Sequence, residues 1–196
     1  SVDAREFELQ VTGHVKAFRD PDVIAAISAQ RPGGIAVTYV EWSSRFEQIQ
    51  VVGWTRVHDK QSAHAFADAI KRSANQARAS GTAIGEAVIY SVQLIENNKY
   101  NGVRRIVDVS ADDRYNAGSS PSYAQSVARR SGVQVNGLAV DATGALTSYF
   151  QKKVIAGPGA FVMQANGYAD YARAIKLKLL REVSTQAPIS RLQVDG

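Results

Sequence analysis

The sequence predicts one α/β domain, a three-layer fold with a mostly parallel central sheet and helices on both of its faces. Three observations lead there. The chain has 196 residues, 45% hydrophobic and 21% charged, which suits a single domain with a real core. Its second half alternates short apolar runs with amphipathic helical stretches, the pattern of a parallel sheet wrapped by helices. Its first half holds two β-branched runs joined by a short polar link, the pattern of an antiparallel hairpin.

The elements follow in order. Phe7, Val11, Val15 and Phe18 recur at spacings of three and four, so residues 3 to 18 form an amphipathic helix. Asp20-Pro21-Asp22 breaks it, and Asp22 can cap a second short helix through Ile24 and Ile27. Arg31-Pro32-Gly33-Gly34 is a turn. Residues 35 to 42 and 49 to 54 are the hairpin strands, with Trp42 and Trp54 as packing residues. Ala63, Phe66, Ala67 and Ile70 mark a helix, and Ile84, Ala87, Val88, Ser91 and Ile95 mark the next. Strands are expected at 103 to 109, 133 to 140 and 160 to 163. Helices lie between them, near 121 to 130 and 145 to 153, and a last helix spans 167 to 184. Residues 1 to 184 form the domain, and 185 to 196 read as a polar tail.

Composition excludes several functions. The chain has no cysteine, which removes disulfide frameworks, zinc-thiolate sites and cysteine nucleophiles. No apolar run approaches the ~18 residues of a membrane span. No nucleophile elbow, P-loop or dinucleotide fingerprint occurs. The net charge is +5, carried by scattered pairs such as Lys71-Arg72, Arg104-Arg105, Arg129-Arg130 and Lys152-Lys153. Without interleaved aromatics these read as a solvated basic surface, with no specific nucleic-acid partner. His14, His58 and His64 are scattered and read as surface residues. Asp108 lies mid-strand, where it faces a helix N-terminus or partners a buried hydroxyl or base.

One feature breaks the pattern. A helix opens at residue 3 with no strand before it, whereas a doubly wound sheet starts from a central strand. Ser1 is not a methionine, and the expectation is a chain that begins inside a larger gene product. Without that strand the sheet is left with a slot about 9 to 10 Å wide, two strand spacings.

Ligands of such sheets bind where loops leave the carboxyl ends of the strands. The loops at 79 to 82, 110 to 116 and 141 to 144 qualify. Ser1, Thr82 and Asp112 carry oxygens that converge if their loops share one edge. Hard oxygens with few carboxylates suit Mg²⁺, Mn²⁺ or Ca²⁺ and leave the ion free to seek an external carboxylate. The ordinary alternative makes Ser1 and Thr82 helix caps and Asp112 a turn residue.

The set Ser1-Val2-Asp3, Ala79-Ser80-Gly81-Thr82-Ala83-Ile84-Gly85 and Val107-Asp108-Val109-Ser110-Ala111-Asp112 resembles the von Willebrand factor type A domain. With Ile35–Trp42, Val135-Asn136-Gly137-Leu138 and Gly157-Pro158-Gly159-Ala160-Phe161-Val162, it resembles a little-characterised bacterial subfamily of that domain, over residues 1 to about 183. The resemblance implies a metal-ion-dependent adhesion site, with Ser1 as the last serine of an Asp-x-Ser-x-Ser strand and Thr82 and Asp112 from later loops. The Asp-x-Ser step would lie upstream of Ser1. Asp113 stands where the family commonly has glycine, and it joins Ser110 as an accessory candidate. The resemblance further implies binding of an acidic residue of a partner protein through Mg²⁺ or a similar cation, no catalysis, and a periplasmic or secreted location. A scaffold with a degenerate metal site, or a metal-dependent hydrolase, is the alternative.

Overall fold

A computed structural model of the chain describes residues 2–30, 33–73 and 81–184. The polar tail at 185–196 lies outside the described residues, as do Ser1, Arg31 and Pro32 of the expected turn, and residues 79 and 80 of the candidate loop at 79 to 82.

Helix α1 (Ala4–Arg19) starts at a capping box. The Glu6 N–H donates to Asp3 Oδ1 and the Asp3 N–H to Glu6 Oε2, both at 2.8 Å. Helix α2 (Pro21–Ser28) is capped by Asp20, not Asp22. Pro21 occupies the first helical position, so the cap falls one residue earlier, and Asp20 Oδ1 accepts from the N–H groups of Asp22 and Val23. Strands β1 (Ile35–Trp42) and β2 (Gln48–Val57) form the antiparallel hairpin, from Ile35 opposite Val57 to Trp42 opposite Gln48. Helices α3 (Lys60–Ser73) and α4 (Ile84–Glu96) follow.

The second half alternates as expected. Strands β3 (Ile106–Ala111), β4 (Gln134–Val140) and β5 (Val162–Ala165) lie parallel in that order, with α5 (Pro121–Arg130) and α6 (Ala145–Lys153) between them. A short 3-10 turn (Tyr168–Asp170) leads into α7 (Tyr171–Ser184).

Two expected boundaries move. β3 begins at Ile106 rather than 103, because Val103 is 85% exposed and Arg104 is drawn to the Glu182 carbonyl by its Nη1, at 2.8 Å. β5 is displaced two residues, because the Gly157–Gly159 turn takes the Ala160 N–H and the Phe161 N–H goes to Asn136 Oδ1 at 3.2 Å.

The layers sort by period two along the strands. Val107, Val109, Ala111, Val135 and Ala139 pack with residues of α4, α5 and α6. Leu138 and Val140 pack with Ala17 of α1 and with Tyr171, Ala174 and Ile175 of α7. A third cluster joins the hairpin to α1, α2 and α3 through Val52, Val57, Phe18, Ile27 and Phe66. This is the predicted three-layer α/β architecture.

The sheet is not continuous. β1 pairs only with β2 and β3 only with β4, so among the described residues neither far edge has a strand partner. A cavity of about 1490 Å³ lies between these edges and is lined by every residue of both strands. The two strands point the same way. At one end the Ala83 N–H reaches Ser43 O, just past β1, and the Asn116 N–H, beyond β3, reaches Thr82 O. At the other end α7 is tied to both sides, Gln30 Nε2 bonding Val183 O and Arg104 Nη1 bonding Glu182 O.

Candidate metal centre

Thr82 and Asp112 line the same cavity at the carboxyl ends of β1 and β3. Their positions come from local chemistry. Gly81 has φ +152°, a conformation that side chains rarely adopt, and a Cβ there would lie 3.2 Å from Ser44 Cα. The loop can therefore press against the end of the hairpin, and the Ala83 N–H donates to Ser43 O at 2.9 Å. Gly85, in the first turn of α4, lets that helix end touch the opposite loop, since a Cβ there would stand 2.1 Å from Ser119 O. The Glu86 carboxylate accepts from both the N–H and the hydroxyl of Ser119 at 2.9 Å, which fastens the same junction.

Thr82 does not cap a helix. The N-cap of α4 is Ala83, which makes no side-chain capping bond. The Thr82 main chain is held instead by Asn116. Its N–H donates to Asn116 Oδ1 at 2.8 Å and its carbonyl accepts from the Asn116 N–H at 3.1 Å. Thr82 Oγ1 has a long contact of 3.5 Å with Asn116 Nδ2. The residue is only 5% exposed, so a buried hydroxyl is fixed in the cavity wall by its backbone. The cap of α1 is Asp3.

Asp112 follows directly on β3 and is hydrogen-bonded to the Tyr168 hydroxyl. Burial and the charge of Asp112 push the Tyr168 phenol well above its ordinary range, so it stays protonated and donates. Gln10 Nε2 donates to the same hydroxyl at 3.3 Å. Ser110 faces the same layer and accepts from the Tyr171 hydroxyl at 3.1 Å. Asp113 is exposed and folds back on its own loop, accepting from the Arg114 N–H at 2.7 Å. Asp141, at the end of β4, is used locally. Thr143 and the Leu146 N–H bond its carboxylate, which Thr143 above all holds below the usual carboxylate range.

Two other residues differ from expectation. His14 is not a surface histidine: its ring lies 5.0 Å from that of Tyr39 and 5.6 Å from that of Tyr171. Burial pushes its pKa down to about 4, and Nδ1 donates to Gln10 O at 3.0 Å. Asp108 faces α7 rather than a helix N-terminus, and its Oδ1 lies 2.5 Å from Lys178 Nζ. Lys178, fully buried, also meets Glu182 Oε1 at 2.6 Å, and Asn136 Nδ2 reaches that oxygen at 2.8 Å.

Asn116, Tyr168 and Tyr171 were not foreseen as site residues. The two tyrosines sit in an apolar stripe that reads as core, and nothing in the spacing of Asn116 points to Thr82. Among the described residues no cluster of three or more His, Cys, Asp or Glu residues suits a metal. A cation here would be held by hydroxyl oxygen and one carboxylate. Thr82 Oγ1 and Asp112 have that chemistry, and they fit a hard divalent ion as part of a donor set. No described helix is long and apolar enough to cross a membrane.

Solved structures with the same fold come from adhesion and matrix proteins. Proximal thread matrix protein 1 from the mussel byssus matches with a TM-score of 0.67 at 19% identity, covering 93% of this chain and 43% of that one. The same protein with a zinc-occupied MIDAS motif matches with a TM-score of 0.67 at 14% identity, over the same shares. The pilus adhesin SpaC from Lactobacillus rhamnosus GG matches with a TM-score of 0.62 at 12% identity, covering 91% of this chain and 28% of that one. This chain thus spans less than half the length of these proteins. No curated protein matches it significantly. A family model does match, over residues 1–187, and the chain belongs to the family described as protein of unknown function DUF1194.

Proposed function

We propose that this chain is a divalent-cation-dependent protein-binding domain whose bound ion takes an acidic side chain of a partner. One observation carries the reading. Thr82 is buried at the head of α4 yet caps nothing, and it lines the same cavity end as Asp112. That hydroxyl makes only a long contact, 3.5 Å from Asn116 Nδ2, and suits a ligand. The zinc-occupied MIDAS motif of the mussel byssus protein supports the same chemistry on the same fold.

The ion would supply a positive charge that an external carboxylate can complete. Thr82 would ligate through Oγ1 and Asp112 through its carboxylate, directly or through water, with Ser1 adding a further hydroxyl. Asn116 holds the Thr82 backbone in place and Tyr168 orients Asp112. Mg²⁺, Mn²⁺ and Ca²⁺ all suit such oxygens, and Zn²⁺ enters through the neighbour. The domain binds rather than turns over substrate. It works outside the cytoplasm, a placement supported by neighbours from a byssal thread and a pilus.

The test is pull-down with carboxylate-bearing partner candidates in Mg²⁺ and in EDTA, using the native chain, Thr82→Ala and Asp112→Ala. Capture that needs the ion and fails in both variants is expected. Capture indifferent to EDTA would leave a scaffold with a degenerate site, and turnover of phosphate or ester substrates would make it a hydrolase.

A further inference from the structure

We propose that the recess between α6 and the loop after β3, lined by Arg114, Tyr149, Lys152 and Lys153, is a second anion site. It takes a further carboxylate of the same acidic partner whose first carboxylate completes the ion. The second site rests on the cation-dependent reading above, because Arg114 follows Asp112 by two residues and their Cα atoms lie at most about 7.6 Å apart.

The recess is built by one helix face and one loop. Ala145, Ser148, Tyr149 and Lys152 recur at spacings of three, four and seven and share a face of α6. Together with Arg114 and Lys153 they line a space of about 200 Å³. Ordinary ligand pockets run from ~300 to 1,000 Å³, so this one suits a single acidic side chain and not a whole cofactor.

Its charge is one-sided. Three cations line it and no carboxylate does. Among the described residues no salt bridge neutralises Arg114, Lys152 or Lys153, and all three are exposed. Asp113, beside Arg114 in the chain, turns its Oδ1 to the Arg114 main-chain N–H at 2.7 Å. Lys152 and Lys153 stand in the last turn of α6, where the helix dipole favours a positive charge. The dipole does not account for Arg114, whose guanidinium carbon lies 5.5 Å from the centre of the Tyr149 ring. A ring against one face of a guanidinium leaves its edge N–H groups open to a carboxylate. Ser148 adds a hydroxyl donor to the same wall.

The spacing describes the partner. Acidic residues two to four positions apart on an extended segment lie about 7 to 13 Å apart. One of them can meet the ion while the next meets Arg114. A partner segment with several Asp or Glu residues therefore fits better than a lone acidic residue, and the net charge of +5 favours its approach.

The test measures binding of two peptides to the native chain in Mg²⁺ at low ionic strength. One is hexaglutamate, and the other carries a single glutamate among five glutamines. Arg114→Gln with Lys152→Gln should weaken hexaglutamate about fivefold or more and leave the single-glutamate peptide unchanged. Lys71→Gln with Arg72→Gln, an exposed pair on α3 in another layer, should change neither peptide by more than about twofold. Equal weakening by both double variants, or none by the first, would overturn the second site. Inorganic phosphate should not displace hexaglutamate at equal concentration, and displacement would contradict a partner's carboxylate as the occupant. Asp112→Ala separates the two readings. If it spares hexaglutamate binding while the Arg114 and Lys152 double variant weakens it, the cation reading falls and the recess stands. If the reverse holds, the recess falls and the cation centre stands.

Discussion

β4 and β1 are both short apolar strands, yet they live in different surroundings. Every residue of β4 after Gln134 is buried, whereas β1 is buried only at Glu41 and half-buried elsewhere. Their propensities do not explain the contrast. β4 has strands on both edges and helices on both faces, and β1 has a strand on one edge and the open slot on the other. Strand burial is therefore a property of neighbours more than of composition. The candidate metal centre lies where the two regions meet, with Thr82 tied to the hairpin side and Asp112 to the parallel side.

Core truncation should show the largest contrast. Phe150 is fully buried beneath β4, with its ring filling the space that a Gly137 side chain would take. Phe150→Ala should cost about 3 to 5 kcal/mol in chemical denaturation. Val37→Ala, on half-buried β1, should cost less than about 1.5 kcal/mol because its cavity wall is already open. Similar losses would dissolve the distinction between the regions.

The Lys178 ion group, which joins α7 to β3, comes next. Lys178→Ala strands Asp108 and Glu182 without their cation and should cost about 3 kcal/mol or more. Replacing Lys178 and Glu182 together by Met and Leu should recover most of that loss. Failure of the double variant to recover would mean that the lysine matters beyond neutralising its carboxylates.

His14 gives the hairpin side a pH signature. Its folded pKa, about 4, lies below the ordinary 6.5, so the unfolded chain takes up the proton first. Stability from neutral His14 is complete above pH 6.5. It is lost as the pH falls from 6.5 to about 4, by on the order of 3 kcal/mol. His14→Phe should flatten the denaturation midpoint across that window, and an unchanged slope would show that the ring is not held neutral.

Asn116→Ala should have the smallest effect on folding, about 1 kcal/mol, since Asn116 is itself exposed and its side chain makes one short bond, to the Thr82 N–H. Its effect should appear instead as cation binding weakened several-fold with the fold intact by circular dichroism.

Much of the architecture was legible in the sequence because periodicity records which layer a residue faces. The spacing of Phe7, Val11, Val15 and Phe18 marks α1, and alternation in the second half marks the parallel strands. Boundaries were less legible where tertiary bonds decide, as at Val103, which lacks a pairing partner, and Phe161, whose N–H turns to Asn136. Asp20 in place of Asp22 as the α2 cap follows from Pro21 and was readable in principle. Thr82 and Asp112 are drawn to one cavity by Ser43, Asn116 and Tyr168, contacts that span up to 56 positions and leave no local pattern. His14 reads as a surface histidine until Tyr39 and Tyr171 are seen to close over it.

The most direct measurement is a calorimetric Mn²⁺ titration of the natural polypeptide and its Thr82→Ala, Asp112→Ala and Asp113→Ala variants. Cation binding weakened at least tenfold by the first two substitutions and unchanged by the third is the expected result. Binding that survives both Thr82→Ala and Asp112→Ala, or no binding in the native polypeptide, would contradict the proposed centre.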